Sequence, residues 1–165
     1  MNLTNLADIR ALLARHDFRF SKSLGQNFLT AAWVPADIAD ASGADARTGV
    51  LEVGPGIGVL TYELSQVSKK VVTIELDKRL LPVLDETLAD CDNVKVINDD
   101  VMKIDLHRVI EEEFNGEEVA VCANLPYYIT SPVIMKLLED RLPITSITVM
   151  VQKAVSYTHL RAHET

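Results

Sequence analysis

Gly49-Val50-Leu51-Glu52-Val53-Gly54-Pro55-Gly56-Ile57-Gly58 decides how the rest of the chain is read. Five mostly apolar residues, short enough for one buried strand, give way at once to three of the chain's seven glycines within five positions. Such a loop lets the backbone turn tightly and approach a ligand, and the helix that follows offers free N–H groups to an anion. Working outward, Val71 to Glu75, Val94 to Ile97, Glu118 to Ala123 and Ile144 to Val151 read as further strands. Between them, Ile57 to Val67, Lys78 to Ala89, Asp105 to Phe114 and Ser131 to Leu138 read as helices. Strands alternating with helices predict an α/β fold, a Rossmann-like, doubly wound and mostly parallel sheet with helices on both faces. Upstream, Asn5 to His16 carries Leu6, Ile9, Leu12 and Leu13 on one helical stripe, with Thr4 as the expected N-cap. Ser21 to Thr30 reads as a loop, and Ala31 to Ala41 as a helix ending near Gly43.

Composition bounds the function classes. The chain has 165 residues, 48% hydrophobic and 24% charged, enough for a domain with its own core. Apolar runs such as Val119 to Ala123 fall short of the roughly 20 residues a bilayer span needs, and the first residues do not have the pattern of a signal peptide. A cytoplasmic location is expected, with Cys91 and Cys122 as reduced thiols rather than ligands of a metal. The formal net charge of −8 argues at first against a nucleic-acid partner. Its distribution is uneven, however, because Asp85 to Glu118 holds 12 acids and 3 bases, leaving the remainder at +1. Arg10 to Lys22 is locally basic.

In a doubly wound sheet, ligands bind outside the carboxyl ends of the strands. Gly54 and Gly56 occupy that position after the first strand, although a merely tight strand-to-helix turn would also use glycines. Glu75 ends the second strand about 20 residues later, where a carboxylate can hold a ribose diol; the competing role of helix cap suits Asp77 better. After the third strand, Asp100 can accept the amine of an adenine, with Val101 and Ile74 as apolar walls. Asp99 and Asp100 lack a third ligand at metal spacing. After the fourth strand comes Asn124-Leu125-Pro126-Tyr127-Tyr128. Pro126 fixes the backbone, the Asn124 side-chain oxygen and the Leu125 carbonyl are acceptors for an amino group, and Tyr127 can stack on a flat base.

Gly25-Gln26-Asn27-Phe28-Leu29, Glu52-Val53-Gly54-Pro55-Gly56, Ile74-Glu75-Leu76-Asp77, Asp100 and Asn124-Leu125-Pro126-Tyr127, in that order, resemble the KsgA/RsmA family of ribosomal RNA adenine dimethyltransferases. The resemblance runs from about Leu12 to Val155. It implies S-adenosyl-L-methionine as cofactor and dimethylation of N6 on two adjacent adenosines in a hairpin near the 3′ end of small-subunit ribosomal RNA. It further implies Asn27, Leu29, Gly54, Gly56, Glu75, Asp100, Val101 and Asn124 as cofactor contacts. Asn124, Leu125, Pro126 and Tyr127 become the target-base site. The partner implied is the immature small ribosomal subunit, met by a monomer without membrane or metal.

The domains expected are an N-terminal helix and basic cofactor loop over residues 1–30, and a cofactor-binding catalytic domain over 31–155. Residues 156–165 match nothing in the family's pattern and are expected to be a foreign tail, neither helix nor strand. On that reading the last strands of the sheet and a C-terminal helical domain are missing, and the edge beside the fifth strand is open. His159 and His163 within the tail are read as incidental. Three alternatives remain open at this point: a non-catalytic ribosome-assembly role, a large-subunit RNA methyltransferase of the macrolide-resistance type, and a nicotinamide-dependent oxidoreductase sharing the glycine loop.

Overall fold

The computed structural model describes residues 3, 5–18, 33–125, 127–151 and 156–161. Among them, six strands form one sheet in the order β3-β2-β1-β4-β5-β6. These are β1 (Gly49–Val53), β2 (Lys70–Glu75), β3 (Val94–Asn98), β4 (Val119–Ala123), β5 (Ser146–Val151) and β6 (Ser156–Arg161). The first five are mutually parallel, and β6 runs antiparallel to β5. The expectation that the tail forms no strand and leaves β5 uncovered is therefore corrected. Ser156-Tyr157-Thr158-His159-Leu160-Arg161 pairs along the whole of β5, from Val151 opposite Ser156 to Ser146 opposite Arg161, and the main-chain donors and acceptors of that edge are matched.

The helices are α1 (Leu6–Arg15), α2 (Trp33–Ala41), α3 (Val59–Val67), α4 (Leu81–Thr87), α5 (Leu106–Phe114) and α6 (Tyr127–Glu139). Several expected limits shift for local reasons. Asn5, not Thr4, caps α1, its carboxamide oxygen accepting from the N–H groups of Ala7 and Asp8. Lys78–Leu80 forms a single 3₁₀ turn, capped by Asp77, before α4 begins. Pro82 thereby falls in the first turn of α4, where its missing N–H costs nothing. The helix expected from Ser131 starts at Tyr127 instead and carries Pro132 inside it.

Every residue of β1 and β4 is buried, as central parallel strands covered on both faces require. On one face Leu51, Val53, Val72, Ile74, Val121, Ile147 and Val149 pack with residues of α5 and α6, including Phe114, Val133 and Leu137. On the other, Val50, Val71 and Cys122 pack under Ile38 of α2 and Leu60 and Leu64 of α3. Burial pushes the Cys122 thiol up to about 12, so it stays a thiol; Cys91 and Cys122 are both free. Helix α1 adds Ile9 and Leu12, and the segment after it adds Phe18, to a third cluster with Ile57, Leu80, Val83 and Leu84. It is also tied to α4 by Arg15 and His16, both on Glu86.

The strand order places the switch of chain direction between β1 and β4. The chain leaves β1 toward β2 and β3, then returns to β4 on the other side of β1. The crevice at such a switch point is where open α/β sheets hold ligands.

Candidate active site at the switch point

Four loops meet at the carboxyl edge of the sheet. After β1, Gly54, Gly56 and Gly58 all adopt left-handed backbone conformations, with φ of 75°, 58° and 95°. At Gly54 the space is restricted as well, because a Cβ there would stand 2.5 Å from Cδ2 of Leu125 in the loop after β4. Its N–H donates to the Ile74 carbonyl at 3.0 Å, so this residue touches the ends of β2 and β4 together. Two close approaches explain the glycine better than a tight turn alone would. Helix α3 then begins behind Gly58 with no side-chain cap, its first N–H groups facing the loop.

Glu75 closes β2 as a buried carboxyl rather than a helix cap. Its Oε2 accepts the Asp77 N–H at 2.9 Å, while Asp77 caps the turn that follows, as expected. Burial raises its ionisation above the ordinary carboxylate value, and the N–H groups of Asp77, Gly56 and Leu76 pull it back down. Gly56 and Glu75 therefore sit against each other. Beside them, the Asn98 carboxamide donates to the carbonyls of Glu75 at 2.8 Å and Leu76 at 3.2 Å, fixing the turn after β2.

Ile74 does not line the site. It is 2% exposed and packs in the sheet core, because alternation along β2 turns it toward α5 and α6. The apolar surface at this edge is Leu76, 63% exposed one residue beyond the carboxylate, with Met102 exposed in the next loop. Sequence reasoning missed both, since a lone leucine after a strand carries no periodic signal. Asp100 is half-buried, and its Oδ1 accepts the Met102 N–H at 2.9 Å. Val101 is largely buried against the α5–α6 face, so it is a support of this loop more than an open wall.

Asn124 ends β4 partly exposed, and among the described residues its carboxamide has no hydrogen-bond partner. Leu125 is buried against Gly54, and its carbonyl faces the Thr130 hydroxyl at 3.4 Å, a long contact that leaves acceptor capacity. Pro126, Asn27 and Leu29 lie outside the described residues, as does the side chain of Tyr127.

Glu52, quoted above only as a motif letter, is the most unusual side chain of the region. It is wholly buried in β1, in register with Thr73 of β2 and Cys122 of β4. The hydroxyls of Thr61 and Thr73 both donate to its Oε1, while Oε2 has no partner among the described residues. Burial pushes its carboxyl up to about 7. No group of three or more His, Cys, Asp or Glu among the described residues could hold a metal ion. None of the described helices is long and apolar enough to cross a membrane.

A carboxylate with exposed Leu76 beside it stands at the end of β2, a second carboxylate and exposed Met102 stand in the loop after β3, and the glycine loop after β1 lies between Glu75 and the loop after β4.

Residues 17–163 match the family described as "Ribosomal RNA adenine dimethylase". The chain is 52% identical over 151 residues to ribosomal RNA small subunit methyltransferase A of Shouchella clausii, covering 91% of this chain and 51% of that one. It is similar in structure to 23S rRNA methyltransferase ErmE, with a TM-score of 0.62 and 31% identity over 73% of this chain and 46% of that one. A Streptococcus mutans protein in complex with SAH matches at 25% identity and a TM-score of 0.52, covering 71% of this chain and 69% of that one. The chain spans about half the length of the curated relatives it matches. With the family match spanning most of its length, the chain belongs to the ribosomal RNA adenine dimethylase family.

Proposed function

We propose that this chain binds S-adenosyl-L-methionine and transfers methyl groups to N6 of two adjacent adenosines in a hairpin near the 3′ end of small-subunit ribosomal RNA. The observation that carries this reading is the convergence of Gly54, Glu75, Asp100 and Asn124 on one crevice, with the Asn124 carboxamide unpaired among the described residues. Glu75 receives the ribose hydroxyls, Asp100 the adenine amine, and Leu76 packs against the ring, the role expected of Ile74. Gly54 and Gly56 let the main chain pass close to the methionine portion, whose carboxylate suits the uncapped start of α3. Asn27 and Leu29 are further cofactor contacts, as the family's motif implies. Residues 31–155 form the cofactor-binding unit, preceded by the N-terminal helix and basic cofactor loop over residues 1–30.

The cofactor supplies a methyl group already activated on a sulfonium, so the chain's task is placement. The amine of an adenine is weakly basic because its lone pair is delocalised. Hydrogen bonds from that amine to the Asn124 oxygen and the Leu125 carbonyl favour a pyramidal nitrogen and stabilise the positive charge that grows on it. Asn124 and the Leu125 carbonyl would hold the amine in line with the sulfonium methyl, and the proton released from the amine on transfer would pass to solvent. Pro126 holds this turn open, and Tyr127, at the first position of α6, stacks on the base drawn out of the RNA loop.

The 52% identity to a small-subunit enzyme against 31% to a large-subunit one favours the former substrate. The monomer acts in the cytoplasm on an immature small subunit.

Two measurements test the reading. Calorimetry should show binding of S-adenosyl-L-methionine and none of NAD; the reverse would make the crevice a dinucleotide site. Asn124→Ala should then lower methyl transfer to immature small subunits by about 100-fold or more, within the range for one transition-state hydrogen-bond partner, with cofactor affinity changed far less. Equal losses in both would remove Asn124 from the chemistry. Transfer only to large-subunit RNA would change the substrate.

A further inference from the structure

We infer that Lys136 is a positioning residue that fastens the adenine-side loop to the helix carrying the target-base site. This rests on the function proposed above. The loop after β3 folds into a tight turn in which the N–H groups of Lys103 and Ile104 both donate to the Asp100 carbonyl at 2.9 Å. Asp100 is thereby held by its main chain as well as by its side-chain contact to Met102. The turn's own carbonyls at Val101 and Ile104 receive the Lys136 ammonium, at 2.6 and 3.0 Å.

A lysine on an amphipathic helix ordinarily reaches into water. This one is half-buried and spends its charge on two main-chain oxygens, with no carboxylate partner among the described residues. Charge-assisted bonds of this kind offset the loss of hydration and have a defined geometry. The neighbouring Val133 and Leu137 pack in the same apolar cluster as Val101 and Leu106, so the ammonium tops a contact that the core already makes. Helix α6 runs from Tyr127 to Glu139, with Pro132 between its first turn and Lys136. Its first turn is therefore joined to the clamp on the Asp100 loop through one helix. Through one side chain, the place where the adenine of the cofactor is read is linked to the helix on which the target adenine is presented. In-line transfer depends on how the two are placed.

The test compares wild type, Lys136→Met and Lys136→Arg in calorimetric binding of S-adenosyl-L-homocysteine and of S-inosyl-L-homocysteine, which lacks the adenine amine, alongside thermal melting. Wild type should prefer the adenosyl compound. K136M should weaken its binding about tenfold and narrow the preference, while K136R, whose guanidinium can reach both carbonyls, should restore both. A K136M protein that melts earlier yet keeps affinity and preference would overturn the inference, since the lysine would then be structural only. K136R behaving like K136M would also overturn it. Should K136M fail to fold, Lys136→Gln takes its place in the same comparison. Wild type binding neither compound would instead refute the proposed function.

Discussion

Glu52→Gln tests the physical account of the buried carboxyl by its pH dependence. Burial raises Glu52 from 4.5 to about 7, against the opposing pull of the Thr61 and Thr73 hydroxyls. Below pH 4.5 the carboxyl is protonated in folded and unfolded chains alike and adds no pH dependence. Between 4.5 and 7 the unfolded chain ionises and the folded one does not, so stability falls as pH rises. Above 7 both are ionised, and the folded state carries a constant penalty of about 3 kcal/mol. For a chain of this length that is about 6–12 °C in Tm. Glutamine keeps an oxygen for the two hydroxyls but places an amide where Oε2 has no partner, a cost of about 1–3 kcal/mol at every pH. Urea titrations from pH 4.5 to 8.5 should therefore show wild type more stable than E52Q at the acid end. That advantage should shrink by about 3 kcal/mol, or reverse, toward the alkaline end. Glu75 is also raised by burial, and its charge adds to the rise at Glu52, so it cancels in the difference only for the part that does not depend on Glu52. A difference between the two proteins that stays constant with pH would refute the reasoning.

Gly54→Ala places a methyl group 2.5 Å from the Leu125 side chain on a backbone with φ of 75°; it should cost about 1–3 kcal/mol in urea unfolding and weaken cofactor binding. Glu75→Gln removes the charge from the proposed ribose acceptor and should weaken binding of S-adenosyl-L-homocysteine by about 10- to 100-fold in calorimetry. Asp105→Ala removes the side chain that accepts the Arg108 N–H at the start of α5; about 1 kcal/mol of stability should be lost with no change in cofactor affinity.

The five parallel strands were legible because each is a short apolar run bounded by glycine, proline or an acid, and central parallel strands are buried on both faces. β3 is the exception in burial, being only partly covered at the outer edge, and its alternation still marks it as a strand. β6 was not legible for a different reason. Its residues alternate, but a six-residue strand at an edge is defined by its partner, and the match between Ser156–Arg161 and β5 is a long-range fact. The boundary errors follow the same logic. Asn5 and Thr4 are both acceptable caps on paper, with Asn the stronger, and the start of α6 depends on how the chain leaves β4 rather than on a local signal.

At the candidate site, sequence reasoning picks out residues whose chemistry is rare in their context and passes over those whose candidacy comes from neighbours. Three glycines in five positions, a carboxylate at a strand end and an Asn-Leu-Pro-Tyr run are unusual wherever they stand, so Gly54, Glu75 and Asn124 are candidates without coordinates. Leu76 and Lys136 are ordinary residue types in ordinary places. One becomes a candidate because β2 turns Ile74 inward and leaves its neighbour but one at the surface; the other because two carbonyls of a distant turn lie within 3.0 Å of its ammonium. Glu52 falls between these cases. Its place in the motif was visible, but its burial depends on the register that sets it beside Thr73 and Cys122. A carboxyl that meets one hydroxyl from the neighbouring strand and another from α3 is a consequence of parallel pairing and of how the helix packs on the sheet, which no local stretch of this chain encodes.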